Sequence, residues 1–247
     1  MVRFFKIFFI FFIILISSTV SYSNSGISDP YEKSNRSIHE FNDRIDIYLL
    51  RPVSVGYILL PNPVEEGILN ILQNSGEPIN FTNFILQGEI QNALSSLMRF
   101  IVNSSFGLLG TIDLADKLNL KENNTDFDNT LEKWGAKEGN YLVLPFIGPR
   151  SSRHFAGSII DIAFNPLNYF LKDEDSILRI SPTILYAVSS RSGNMETIDN
   201  LRETSIDYYS SLQSIYYQSR SSGLNESLDE QVFDDFFESL EEENKND

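Results

Sequence analysis

Residues 29–52 read DPYEKSNRSIHEFNDRIDIYLLRP. Asp29 is a helix-capping residue type, Pro30 suits the first helical position, and Glu32 lies three residues after the cap, so the three make a capping box. Tyr31, Ile38, Phe41, Ile45 and Tyr48 then recur on one helical face, and Pro52 predicts where that helix ends. The same punctuation returns at Asn62, Pro63 and Glu65. It opens a second helix with Val64, Ile68, Ile71 and Leu72 facing inward and Gly76 as its expected stop. Two helices marked by the same chemistry set the expectation of an all-α fold.

Outward from this stretch the helical spacing continues. From Glu89, Ile90, Ala93, Leu94, Leu97, Ile101 and Val102 form a stripe, while Met98, Phe100 and Phe106 lie beside or opposite it. A helix apolar nearly all round is either buried in a core or has one side against lipid. The Phe106–Leu120 stretch, with Gly107 and Gly110, is similarly apolar. The middle, Lys121 to Pro149, is rich in Gly, Asn and Pro. It predicts a long ordered loop with one hairpin around the apolar run Tyr141–Leu144. Phe155, Ile159, Ile162 and Ala163 mark a further helix ended at Asn165 and Pro166. Beyond Pro182, Met195, Ile198, Ser205, Tyr208, Leu212 and Ile215 keep helical spacing, with Gly193 a weak break.

The two ends differ from this body. Arg3 and Lys6 precede an apolar run, Ile7 to Ile16, and small polar residues follow as far as Ser25, the pattern of a secretory signal peptide. Ser21 and Ser23 place cleavage after residue 23, with an uncleaved anchor as the alternative. The run is too short to span a bilayer, which argues against a polytopic membrane protein. Leu224 to Asp247 carries ten acidic residues and one lysine. Leu228, Val232, Phe236 and Leu240, spaced by four, would form an amphipathic helix on a partner; otherwise this is a solvated acidic tail. The domain organisation expected is thus a signal peptide at 1–23, a helical domain at 24–223 and a tail at 224–247.

Composition narrows the chemistry. The chain has 247 residues, 42% hydrophobic and 21% charged, with a formal charge of -15 and no cysteine. That suits one folded domain or at most two. Lack of cysteine removes disulfides, thiolate metal sites, cysteine nucleophiles and any thioether lipid anchor. Strong acidity without a basic block argues against nucleic-acid binding. His39 and His154, the two histidines, are not in a metal-ligand spacing, and no nucleophile elbow, P-loop or dinucleotide fingerprint occurs. Acid pairs such as Asp113 with Asp116, or Asp126 with Asp128, read more simply as solvated. No enzyme, cofactor or metal is expected.

Taken in order, DPYEKSNR from Asp29, EFN at Glu40, LRPV at Leu50, FILQG at Phe84, RFIVN at Arg99, GLLGTIDLA at Gly107 and YLVLPFIGP at Tyr141 form a specific series. With SIDYY at Ser205 and YYQSR at Tyr216, it resembles the MlaA/VacJ family of phospholipid-transport lipoproteins from Asp29 to Arg220. The resemblance implies a single ring-like helical domain with amphipathic membrane-associated helices and a short hairpin. It would lie at the periplasmic face of the outer membrane, around a channel taking misplaced outer-leaflet phospholipid inward. It also implies an outer-membrane porin as partner and handover to a periplasmic lipid shuttle, MlaC. Two departures stand out: the family's lipobox cysteine is absent, so no covalent lipid anchor is possible, and a basic position common after Leu212 is Gln213.

On this reading Phe100, Ile101, Phe106, Leu108 and Leu109 are candidates for acyl-chain contact, with core packing as the plainer alternative. Gly135, Gly139, Tyr141, Pro145, Gly148 and Pro149 belong to the loop that resembles the family's hairpin beside the channel. There glycines permit tight bends. Phe41 and Asn42 lie in the EFN motif, Phe41 read as core and Asn42 as ordering neighbouring backbone. The competing function is an exported helical scaffold of the envelope that binds a protein and carries no lipid.

Overall fold

The computed structural model describes residues 29–221. The expected signal peptide and acidic tail lie outside the described residues. Helix α1 (Glu32–Ile45) passes through a π-helical turn (Asp46–Leu50) into α2 (Arg51–Ile58), and α3 (Asn62–Leu86) packs lengthwise on α4 (Ile90–Ser105). Short helices α5 (Leu114–Lys117) and α6 (Phe127–Lys133) lead to an antiparallel hairpin of β1 (Tyr141–Leu144) and β2 (Gly148–Ser151). Then follow α7 (Ser152–Phe164), α8 (Pro166–Phe170), α9 (Ser176–Gly193), α10 (Met195–Thr204) and α11 (Tyr208–Ser221). The fold is all-α with one small hairpin.

Several helix boundaries depart from the sequence expectation. Asp29 does not cap α1: Tyr31 occupies that position without a side-chain cap. The Asp29 carboxylate instead accepts bonds from Asn35, Tyr209 and Gln213, pinning the start of the domain to α11. Pro52 does not end the helix. The Arg51 N–H reaches back to the Asp46 carbonyl in a widened turn, and Pro52 falls in the first turn of α2, where its missing N–H and bulky ring are tolerated. Likewise α3 runs through Gly76 and Pro78 because its continuation is packed against α4. A glycine penalty of about 1 kcal/mol is small beside such packing. Pro182 is similarly accommodated inside α9. Helix α6, unforeseen in the middle segment, is started by the Asp126 side chain, which accepts the Asn129 N–H at 2.7 Å.

The interior is inverted relative to that of a water-soluble bundle. Among the described residues, buried polar or charged side chains outnumber buried hydrophobic ones, sixteen to thirteen, while large hydrophobics on α1 to α4 and α7 to α9 are exposed. Besides buried hydrophobics such as Tyr57, Phe84, Phe127, Leu131 and Val188, apolar packing gathers into two clusters among α1, the hairpin, α10 and α11. There Tyr141, Val143, Tyr209 and Tyr216 form one cluster, and Leu201 with Ile215 another. Many residues of the expected core faces nevertheless turn outward: Tyr31, Phe41 and Tyr48 on the α1 segment, Val64 and Ile71 on α3, and Ile90, Leu94 and Ile101 on α4 are all exposed. Among the described residues no helix is long and apolar enough to cross a membrane.

Candidate functional site

Helix α3 and its C-cap carry a polar stripe, Asn70, Asn74, Glu77, Asn80, Asn83 and Gln87, three or four residues apart. Each has a partner across the interior. Asn70 donates to the Thr111 carbonyl and Asn74 to Ser104; Asn83 donates to Asp161, and Gln87 to Thr125 and Thr130. Asn80 Oδ1 accepts the Thr125 N–H at 3.0 Å. At the centre Arg99 of α4 (2% exposed) meets Glu77 (1% exposed) at 2.5 Å, then Asp113 at 2.9 Å and the Leu120 carbonyl at 2.5 Å. Burial raises the Glu77 pKa, opposed by the guanidinium. For Asp113 burial acts the same way. There the Asp116 N–H, Arg99 and Asn103 prevail and hold the group below its usual range. One arginine thus ties α3, α4, α5 and the loop at Leu120 together, which only a fully partnered buried charge can do without heavy cost.

Beside this wall lies a cavity of about 610 Å³, bounded by α3, the 122–126 loop, Asp161 of α7 and the last turns of α9. Leu69, Leu72, Ile79 and Tyr186 supply apolar lining. Gln73, Asn80, Glu122, Asp126 and Asp161 supply polar groups. The volume is in the range of sites that enclose small ligands. An amphipathic molecule would find both of its chemistries along this wall. Gly76 and Gly193 also line it, and a Cβ at either would meet nothing within 4 Å.

The hairpin is clamped onto α1 by two asparagines seven residues apart. Asn35 donates to the Tyr141 carbonyl at 3.2 Å and accepts the Val143 N–H at 2.9 Å. Asn42 does the same for Leu144 and Phe146, at 2.9 and 2.8 Å. Two helical turns advance roughly as far as three strand residues, so each side-chain amide stands in for the backbone of a missing neighbouring strand. Beneath the hairpin, Ser151 N–H donates to the Tyr216 hydroxyl at 2.7 Å, and burial pushes that phenol up to about 12. His154 is buried alongside, its Nδ1 3.3 Å from the same hydroxyl.

The residues singled out from the sequence fall into three places. Ile101, Phe106, Leu108 and Leu109 are exposed, at 45, 74, 69 and 80%, and Phe100 is half-buried. Gly135, Gly139 and Gly148 all have positive φ, as loop glycines here require, and at Gly139 a Cβ would press on Ser152. Pro145 lies in the turn, Pro149 pairs with Val143, and Tyr141 is fully buried. Phe41 is corrected: it is 42% exposed, because its helical face meets only the turn, where Phe146 packs edge-on at 5.2 Å. Solvation accounts for only one member of the acid pairs, the exposed Asp116. Asp113 caps α5, Asp126 caps α6, and Asp128 is fully buried between Arg153 and Arg220. Sequence reasoning missed Arg99, Glu77 and the asparagine stripe, although the period of polar residues along α3 was a readable signal.

A family model described as MlaA lipoprotein matches residues 27–223. An uncharacterised protein of Rickettsia bellii (strain RML369-C) is 35% identical over 202 residues, covering 80% of this chain and 77% of the relative. The intermembrane phospholipid transport system lipoprotein MlaA of Escherichia coli (strain K12) is 32% identical over 198 residues, 78% of this chain and 77% of that protein. The protein of the same name from Haemophilus influenzae (strain ATCC 51907 / DSM 11121 / KW20 / Rd) is 30% identical over 205 residues, 81% and 80%. A solved chain described under "Structural basis for maintenance of bacterial outer membrane lipid asymmetry" superposes with a TM-score of 0.70 at 28% identity. It covers 80% of this chain and 100% of its own length.

Proposed function

The chain belongs to the MlaA lipoprotein family, and from that membership we propose that it is a non-enzymatic phospholipid conduit of an intermembrane transport system at the outer membrane. The observation that carries this reading is the inverted interior: apolar side chains face outward, and polar ones line the inside beside an amphipathic cavity of about 610 Å³. Apolar surface turned outward suits an acyl environment. Buried polar groups beside the cavity offer a headgroup hydrogen-bonding partners that lipid would not.

We further propose that the direction is inward, clearing phospholipid misplaced in the outer leaflet and passing it to the soluble periplasmic shuttle MlaC. An outer-membrane porin would hold the protein in place. Without a cysteine, retention depends on the apolar exterior and on that partner. Mass spectrometry of protein purified from envelopes should find phospholipid bound, and cells lacking the protein should show more phospholipid accessible to an external label. Lipid-free protein together with unchanged surface phospholipid would overturn the proposal in favour of a scaffold.

A further inference from the structure

The turn that links α4 to α5 is built unlike any other in the described chain. Leu108, Leu109 and Gly110 all have positive φ, at 51, 60 and 93°. Leucine avoids this region because its Cβ crowds the backbone carbonyl, whereas Gly and Asn enter it readily. The strained path is held by close packing. A Cβ on Gly107 would lie 2.3 Å from the Ile112 carbonyl, and one on Gly110 would lie 2.7 Å from the Asn74 side chain. The Asn103 carbonyl accepts both the Gly107 and Gly110 N–H groups. Its side chain bonds Asp113 and the Ala115 N–H, and Asn70 fixes the Thr111 carbonyl. With the backbone pinned inward, Phe106, Leu108 and Leu109 point out and stay exposed.

We propose that Phe106–Ile112 is a preformed, rigid apolar prong that enters the acyl region of the leaflet and anchors this cysteine-free chain at the membrane. The inference rests on the lipid-conduit reading but concerns retention, not passage. Lipid is the occupant for three reasons. The prong continues the exposed stripe of Ile90, Leu94, Met98 and Ile101 along α4, whose opposite face, with Ser96, Arg99 and Asn103, is buried and polar. No charged side chain occurs between Phe106 and Ile112, so nothing there is matched to a polar partner. A chain without cysteine has no thiol to carry an acyl group, so apolar side chains must supply the attraction that lipidation would otherwise give.

The strain gives the test its discriminating power. Replacing both leucines by asparagine, Leu108→Asn with Leu109→Asn, relieves the backbone while removing the apolar groups; a glycine pair does the same by a second route. The detergent-purified chain and these variants would be floated with phosphatidylethanolamine–phosphatidylglycerol vesicles and melted by circular dichroism. The expected result is a Tm equal to or above that of the parent, with vesicle partitioning reduced about tenfold or more, the scale of one leucine withdrawn from apolar burial. A Leu108→Met, Leu109→Met pair should float like the parent. Undiminished flotation of the asparagine and glycine pairs would overturn the proposal. So would a Tm loss beyond about 5 °C in both pairs, which would place the leucines in the packed fold. A parent chain that binds envelope protein but not pure lipid vesicles would overturn it in favour of a protein partner. Phospholipid measured on the same parent sample separates the two readings, since a lipid-loaded protein insensitive to these substitutions refutes the prong alone.

Discussion

Asn42 holds Phe146 at the hairpin turn through a 2.8 Å bond from the Phe146 N–H to its side-chain oxygen, while its amide nitrogen donates to the Leu144 carbonyl two residues earlier. Because Phe146 has a positive φ of 66°, the turn is held in a conformation a phenylalanine does not favour. Asn42→Ala removes both bonds and should destabilise the hairpin by about 1–3 kcal/mol. Amide exchange at Phe146 should quicken in the variant, more than at Val143, which Asn35 still holds, while exchange in α4 stays as it was. Equal protection at Phe146 in both proteins would mean that the strands hold the turn unaided.

Arg99 supplies the second prediction. Arg99→Met leaves the Glu77 and Asp113 carboxylates without their guanidinium inside the protein, a loss on the order of 3–5 kcal/mol. The variant should fail to accumulate or should melt far below the parent. A near-normal Tm would show that water reaches Glu77 and that the interior is wetter than its burial indicates.

Ile101 shows how much of the fold was legible. The spacing of Ile90, Leu94, Leu97 and Ile101 correctly gives α4 and its apolar face. Periodicity, however, identifies a face and not the side on which the core lies. Taken alone, it makes Ile101→Asp a core-destroying change. With Ile101 45% exposed and its neighbour Arg99 buried, the expectation reverses. Ile101→Asp should stay folded in detergent, within about 0.5 kcal/mol of the parent, and should lose membrane retention. Thermal melts with flotation check both halves. The interior stripe of α3 was hidden for a different reason. Reading Gly76 as a stop cut the stripe between Asn74 and Glu77, so a period that is present in the sequence no longer ran along one helix.

The clasp between α1 and α11 should weaken in acid. Arg36 grips both oxygens of Asp207 at 3.0 and 2.7 Å, and this bond, with that from Ser210, holds the carboxyl far below the usual range. A depressed folded-state pKa gives stability that is present above the unfolded value and lost as pH falls. The loss should therefore set in as pH drops through about 4 and below. The Asp207 side chain is 41% exposed, so solvent screening limits the effect to under about 1 kcal/mol. Asp207→Asn should flatten that part of the stability profile and leave neutral-pH stability lower by a similar amount. An unchanged acid limb would assign it to other carboxylates.

Gly76 allows passage to be tested apart from folding. It sits in the middle of α3, lines the cavity, and has nothing within 4 Å of where its Cβ would lie. Gly76→Ala should therefore stabilise the helix by about 0.5–1 kcal/mol while leaving the cavity open. Gly76→Phe keeps the helix and projects a ring into the space between α3 and α9. On the conduit reading it should retain a Tm at or above that of the parent and yet carry less phospholipid. It should also fail to lower externally labelled phospholipid when it replaces the parent in cells. Gly193→Phe approaches the same space from α9 and should behave alike, which guards against a local effect on α3. If both phenylalanine variants are folded and clear surface phospholipid as well as the parent does, lipid does not pass through this cavity, and the conduit must lie elsewhere in the fold.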